Sequence, residues 1–391
     1  MKKLLLLGAV FCFTMCSPSG ESEDHDGPLS IDLDAADKGV LSDIMESVRY
    51  VLLKPTDAYP ISWPHSVFVD KKGNFYVRDI NTYNLLVFDS LGQLAHVFEP
   101  KGTGPQEFFR IGDFQVMDDR VIIFDDSILK IIEFDLQGEF INEFRCKRGF
   151  QKLYKGSDFL LGFTSYSADF GGYNFVRSTI DADEQEGFLK FPDEKQRVGN
   201  FDTHVSFISS IYSPNLYFNV TFSTQVAQFD KISGRLSSVI DFNFGKYSIP
   251  DSFFKLERQE LYRLQEENNL VREIGSFFPF KDFYFVCVSQ GMGKKKHYIL
   301  LDKNKKPIFH KYNLTNDLDG MKMLGSPWSF SANEVIHMID SRDFLSEYKQ
   351  TFAGKDTSNS PDGIHQFVQE NEDKLIDDYH VLVLYKLKAT F

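Results

Sequence analysis

One pattern is written twice between residues 66 and 144, and it constrains this chain more than any other feature. The first copy reads SVFVDKKGNFYVRDINTYNLLVFDSLGQLAHVF and the second DFQVMDDRVIIFDDSILKIIEFDLQGEFINEF. Phe88-Asp89 and Gly92 in the first correspond to Phe134-Asp135 and Gly138 in the second, each displaced by 46 residues (134 − 88, 138 − 92). A period in the forties with about four short strands per repeat is the mark of a β-propeller blade. Alternation within the strands places Phe75 and Val77 on one side and Tyr76 and Arg78 on the other.

The rest of the chain continues the period. Blade three is degraded, with strands expected at 152–154, 159–163, 173–179 and 188–191. Blade four follows at 205–212, 216–221, 225–229 and 236–241, where Phe229-Asp230 and Gly234 repeat the turn with one inserted residue. Blade five is expected at 274–278, 283–288, 297–301 and 308–310. Blade six has strands at 328–330 and 335–339, two helical segments at 341–352 and 363–374, and a last strand, HVLVLYKL, at 380–387. It lacks a fourth strand, and residues 48–53 have no partner nearby. Pairing the two ends of the chain closes the circle and removes open edges. The expected fold is therefore an all-β, six-bladed propeller over residues 41–391, with short helical insertions. A helix is expected from Asp251 to Ile274, its apolar positions Phe254, Leu261, Leu264 and Val271 laid over one end of the ring.

The N-terminus is a targeting segment. Lys2-Lys3 precedes an apolar run from Leu4 to Phe13, too short to span a bilayer as a helix and suited to a secretory signal. It ends at Cys16, after which residues 16–40 read as a flexible acidic tether. The leader, residues 1–15, resembles a bacterial lipoprotein signal, which implies lipidation of Cys16. The cluster Glu21, Glu23, Asp24 and Asp26 resembles the signal that exports lipoproteins to the cell surface in the Bacteroidetes. With the first two cysteines so assigned, Cys146 and Cys287 fall in blades opposite each other, too far apart to bridge. The formal net charge of −13 argues against a nucleic-acid or anionic-membrane surface, where a basic patch would be expected.

The Phe-Asp-x-x-Gly turns, the loop Gly102-Thr-Gly-Pro-Gln-Glu-Phe108, the terminal DDYHVLVLYKLK and the leader together resemble the six-bladed β-propeller lipoproteins of the Bacteroidetes, relatives of NHL-repeat and TolB-like propellers. That resemblance implies a fold and an outer-membrane envelope location, and no particular activity. The Gly-rich loop itself lacks a GKS/T and a following helix, so it reads as a crossover between blades and not as a phosphate cradle.

Propellers bind ligands at the mouth of the central channel, where the innermost strands begin. The residues at those positions are His65, Asp113, Lys152, His204, Arg272 and Trp328. With no GxSxG, HExxH or EF-hand pattern, the leading expectation is a binding or interaction module for a glycan, a peptide or an envelope protein. The alternative is a metal-dependent lyase or hydrolase of the NHL-like kind, with His65 and His204 converging on an ion and Asp113 between them. No motif names a cofactor. Function is expected where the copies differ: in blade three, in the helix after blade four, and in the helices of blade six.

Overall fold

The structure, a computed structural model, describes residues 27–180, 185–198, 206–322, 325–355 and 363–389. It contains six sheets whose innermost strands are Pro64–Val69, Asp113–Val116, Lys152–Lys155, Ile208–Ser209, Val271–Pro279 and Ser329–Phe330. Each sheet is built on four antiparallel strands, and these are the six expected blades. The sixth closes as the sequence requires. Met45–Leu53 forms its outermost strand, antiparallel to His380–Leu387, with Tyr50 opposite Val383.

The cores lie between blades. Val121 and Ile123 pack toward blade one with Phe75's neighbours Tyr76 and Leu85, while Ile122 and Phe124 pack toward blade three with Leu153 and Leu160. Phe75 and Val77 face the other way, onto Ile336 and Leu382 of blade six. Corresponding clusters join three to four, four to five, and five to six. Strand alternation thus puts one apolar face on each neighbour, and the ring closes through six such layers. Cys146 and Cys287 are separate buried thiols of blades two and five.

Two expectations change. Residues 29–40, expected to belong to the tether, are built into the ring. Leu29–Ser30 adds a fifth, parallel strand to the outer edge of blade four, with Leu29 opposite Phe242, and Asp37–Val40 does the same on blade five. Ile31 and Leu33 are buried with Ile240 and Phe242. The N-terminal segment therefore straps blades four, five and six in turn. The signal was the alternation Leu29, Ile31, Leu33, masked by the intervening acids. The helix after blade four is also shorter than expected. A 3-10 turn at Asp251–Lys255 leads to α1, Arg258–Glu267, which ends at Asn268. Asn269 is left-handed (φ 52°), and Val271 already belongs to the innermost strand of blade five. Blade six carries α2, Ser341–Thr351, and α3, Ile364–Leu375, near the expected positions.

Candidate functional site

Antiparallel pairing puts the start of each innermost strand beside the end of the second: Asp113 opposite Phe124, Lys152 opposite Phe163, Val271 opposite Gln290. These ends share one face of the ring, called here the upper face. It also carries the loops after second strands and the helical insertions.

Two buried acids organise that face, and neither is among the expected site residues. Asp79 Oδ2 accepts the N–H groups of Ser62 and Trp63 at 2.6 Å, and its Oδ1 accepts those of Asn81 and Thr82 at 2.9 Å. Asp125 repeats this one blade later, taking Phe109 and Arg110 on one oxygen and Ser127 and Ile128 on the other. Both carboxylates are consumed in fixing loops.

The expected channel-mouth residues divide. Asp113 and Lys152 are brought together, both buried, with Nζ 4.0 Å from Oδ1. Asp113 Oδ2 also accepts the Leu153 N–H at 3.0 Å and the Ser206 hydroxyl at 3.1 Å, so it ties blades two and three to the approach to blade four. His65 is buried, its Nδ1 3.4 Å from Nη1 of Arg78, whose Nε donates to the Ile111 carbonyl. Arg272 is turned toward α1: it pairs with Glu273, and its guanidinium stands over the rings of Phe222 and Tyr262 at 5.1 and 5.8 Å. Trp328 is partly exposed, and its N–H donates to the Ile336 carbonyl. His204, like Cys16, lies outside the described residues. Among the described residues no group of three His, Cys, Asp or Glu side chains is placed to hold a metal.

The Gly-rich loop is satisfied from within. Lys130 Nζ donates to the carbonyls of Gly104 and Glu107 and pairs with Glu143, while Glu107 and Glu143 accept the N–H groups of Gly104 and Gln106. The N–H groups of Gly102, Gly104, Gln106 and Glu107 are engaged by the protein, which fits a crossover.

The upper face opens instead into a cleft of about 510 Å3 between blades three and four. Its walls include Tyr166, Tyr173, Asn174, Phe188, Lys195 and Asp241. Divergent blade three supplies most of them, and Phe254, at the start of the helical insertion, supports one. Lys195 Nζ lies 4.6 Å from the centre of the Phe254 ring and 5.9 Å from that of Tyr166. Burial pushes this ammonium below its ordinary pKa, with Asp251 and Asp241 opposing the shift from a distance. Asn174 is 5% exposed, and its Oδ1 has no hydrogen-bond partner among the described residues. Tyr166 and Leu189 both adopt left-handed backbone (φ 61° and 53°), a strain that bulky residues carry only where their surroundings impose it.

A family profile described as a six-bladed β-propeller, DUF5128, matches residues 19–338. The chain belongs to that propeller family. Among solved structures, a Bacteroides fragilis protein designated as exported is 14% identical over 93% of this chain and 100% of its own, with a TM-score of 0.68. A member of the DUF4221 family from Bacteroides vulgatus is 12% identical, covering 88% of this chain and 97% of its own, with a TM-score of 0.49. Virginiamycin B lyase from Staphylococcus aureus is 11% identical over 71% of this chain and 78% of its own, at a TM-score of 0.38. The first likeness is one of fold, and the other two carry no argument about activity. No curated protein matches the sequence.

Within this propeller the sequence pointed to blade three among the places to look, and it did not single out Tyr166, Asn174 or Lys195. These occupy no repeated blade position. The available signal was local: Thr164-Ser-Tyr-Ser167 replaces the Asp-led turn that ends the second strand in blades one and two.

Proposed function

We propose that the protein is a ligand-binding module of the bacterial cell envelope, held by lipid at Cys16, which takes its ligand on the upper face of the ring. The observation that carries the binding reading is the cleft between blades three and four. A cavity of this size, walled by aromatic rings with a few convergent polar groups, is the usual form of a small-ligand site. At the channel mouth Asp113 and Lys152 are engaged in a tie between blades two and three, which favours a binding surface over a catalytic one.

The leader and the acidic run after it support the envelope location. Gly27 and Pro28 lie on the cleft rim, so the chain from Cys16 meets the ring beside the proposed site. The eleven residue steps between Cys16 and Gly27 (27 − 16) reach about 40 Å at full extension, which would keep the cleft near the bilayer.

Two measurements test this. Labelled palmitate should enter the wild type and not Cys16→Ala, and labelling of both would remove the anchor. Thermal melting against a panel of glycans, peptides and envelope extracts should find a ligand that raises Tm in proportion to its concentration. Failure of the whole panel, with turnover of a substrate that depends on added metal, would replace the binding reading by a catalytic one.

A further inference from the structure

The cleft has a chemistry specific enough to name a ligand class, and this step rests on the binding reading above. Lys195 is stripped of much of its water and lies against the Phe254 and Tyr166 rings. Neither Asp241 nor Asp251 makes an ion pair with it among the described residues. An ammonium in that position is best neutralised by an anion brought from outside. Asn174 Oδ1 is a buried acceptor without a donor among the described residues, a costly state that a hydroxyl group would relieve.

Two further features narrow the ligand. Asp241 shares the cleft, so a group that is anionic all round, such as a phosphate or sulfate ester, would meet repulsion there. The ligand must also present donors to it, and Gln225 and Ser223 beside it add neutral polar partners.

We infer that the cleft binds a small acidic saccharide, a uronate, with its carboxylate on Lys195 and its hydroxyls on Asn174, Gln225 and Asp241. The carboxylate satisfies the ammonium and the hydroxyls satisfy the two acceptors. An amino acid or short peptide would meet the same two charges. It has fewer hydroxyl donors for Asn174, Gln225 and Asp241, so the saccharide is favoured. The protein's net charge of −13 is spread over the whole surface and screened beyond about 8 Å, so contact inside the cleft outweighs it.

Isothermal titration calorimetry on the full chain tests this with digalacturonate, its neutral counterpart galactobiose, and the dipeptide Gly-Glu. Digalacturonate is expected to bind at least about tenfold more tightly than the other two. Lys195→Met should weaken it about tenfold and bring the two sugars to parity, and Lys195→Arg should restore most of the affinity. Melting curves report whether each variant folds. If Lys195→Met does not, the comparison of the two sugars on the wild type, with Lys195→Arg, decides. Equal binding of both sugars, binding that survives Lys195→Met, or preference for the dipeptide would overturn the inference and leave the binding module standing. No binding of any probe overturns the inference, and only silence across the wider panel would also remove the module.

Discussion

Asp79 and Asp125, 46 residues apart in sequence (125 − 79), occupy the same corner of consecutive blades, and each accepts four backbone N–H groups while wholly buried. Each joins the loop after its own second strand to the segment entering its innermost strand. Replacing either by Ala leaves four donors without an acceptor. The expected loss is about 3 kcal/mol in urea denaturation for each variant, since buried unsatisfied donors cost about 1–3 kcal/mol apiece before relaxation. A loss below about 1 kcal/mol would show that water replaces the carboxylate freely.

The turns between third and fourth strands make a second comparison. Gly92 has φ +78°, and a Cβ there would stand 2.1 Å from the Leu52 carbonyl oxygen in the closing strand of blade six. Gly138 has φ +89°, but its Cβ would meet the His96 ring, a side chain that can swing away. Gly92→Ala is therefore expected to cost about 2–4 kcal/mol and Gly138→Ala about 1–2 kcal/mol. In blade five the same turn carries Lys305 at φ +63°, where Asp302 Oδ1 accepts the N–H groups of Asn304 and Lys306. Lys305→Gly should stabilise the protein by about 1 kcal/mol, readable as a rise in Tm.

Two truncations separate the strap from the closure. Removing residues 1–40 strips the parallel strands from blades four and five and exposes the surfaces that Ile31 and Leu33 cover. That variant should fold as a monomer with stability lowered by about 2–4 kcal/mol. Deleting the residues after Tyr379 removes the strand that pairs with both Glu334–Asp340 and Met45–Leu53. It should yield no folded monomer by circular dichroism and gel filtration, and a folded monomer would contradict closure through the chain ends.

How much of this was legible follows from where the information lies. Blade pairing, closure by residues 48–53 and the turn acids come from strand period and turn chemistry, which are local. The strap was hidden because Asp32, Asp34 and Asp37 look solvated, while the alternation of Leu29, Ile31 and Leu33 is too short to stand out. The helix was drawn too long because nothing short of Asn268-Asn269 interrupts its apolar spacing. Asp113 and Lys152 do begin innermost strands, yet their role as ties depends on a neighbouring blade, which spacing along the chain does not report. The cleft belongs to the same class, being made by two blades and an insertion meeting.

The buried His297–His310 pair of blade five confers a pH dependence. His297 is buried, with Nδ1 3.1 Å from His310 Nε2 and Nε2 3.3 Å from Gln290 Oε1. Burial lowers its pKa from 6.5 to about 4, helped by His310 and Lys295 and opposed by Asp34 of the strap. His310 is lowered by burial too, against Asp32. Between pH 6.5 and 4 the unfolded chain binds the proton that the folded one refuses. The stability is therefore whole above about pH 6.5 and falls as the pH drops toward 4, by on the order of 2 kcal/mol from His297. His297→Gln should flatten that part of the profile relative to wild type, and an unchanged slope would assign the acid sensitivity elsewhere.

The central claim is that the ligand sits between blades three and four, and a crystal structure of the protein grown with digalacturonate tests it most directly. The account predicts density in that cleft, with a carboxylate at hydrogen-bonding distance from Lys195 Nζ, about 2.7–2.9 Å, and a hydroxyl on Asn174 Oδ1. Density at the channel mouth against Asp113 and Lys152, with the cleft left to solvent, would contradict it.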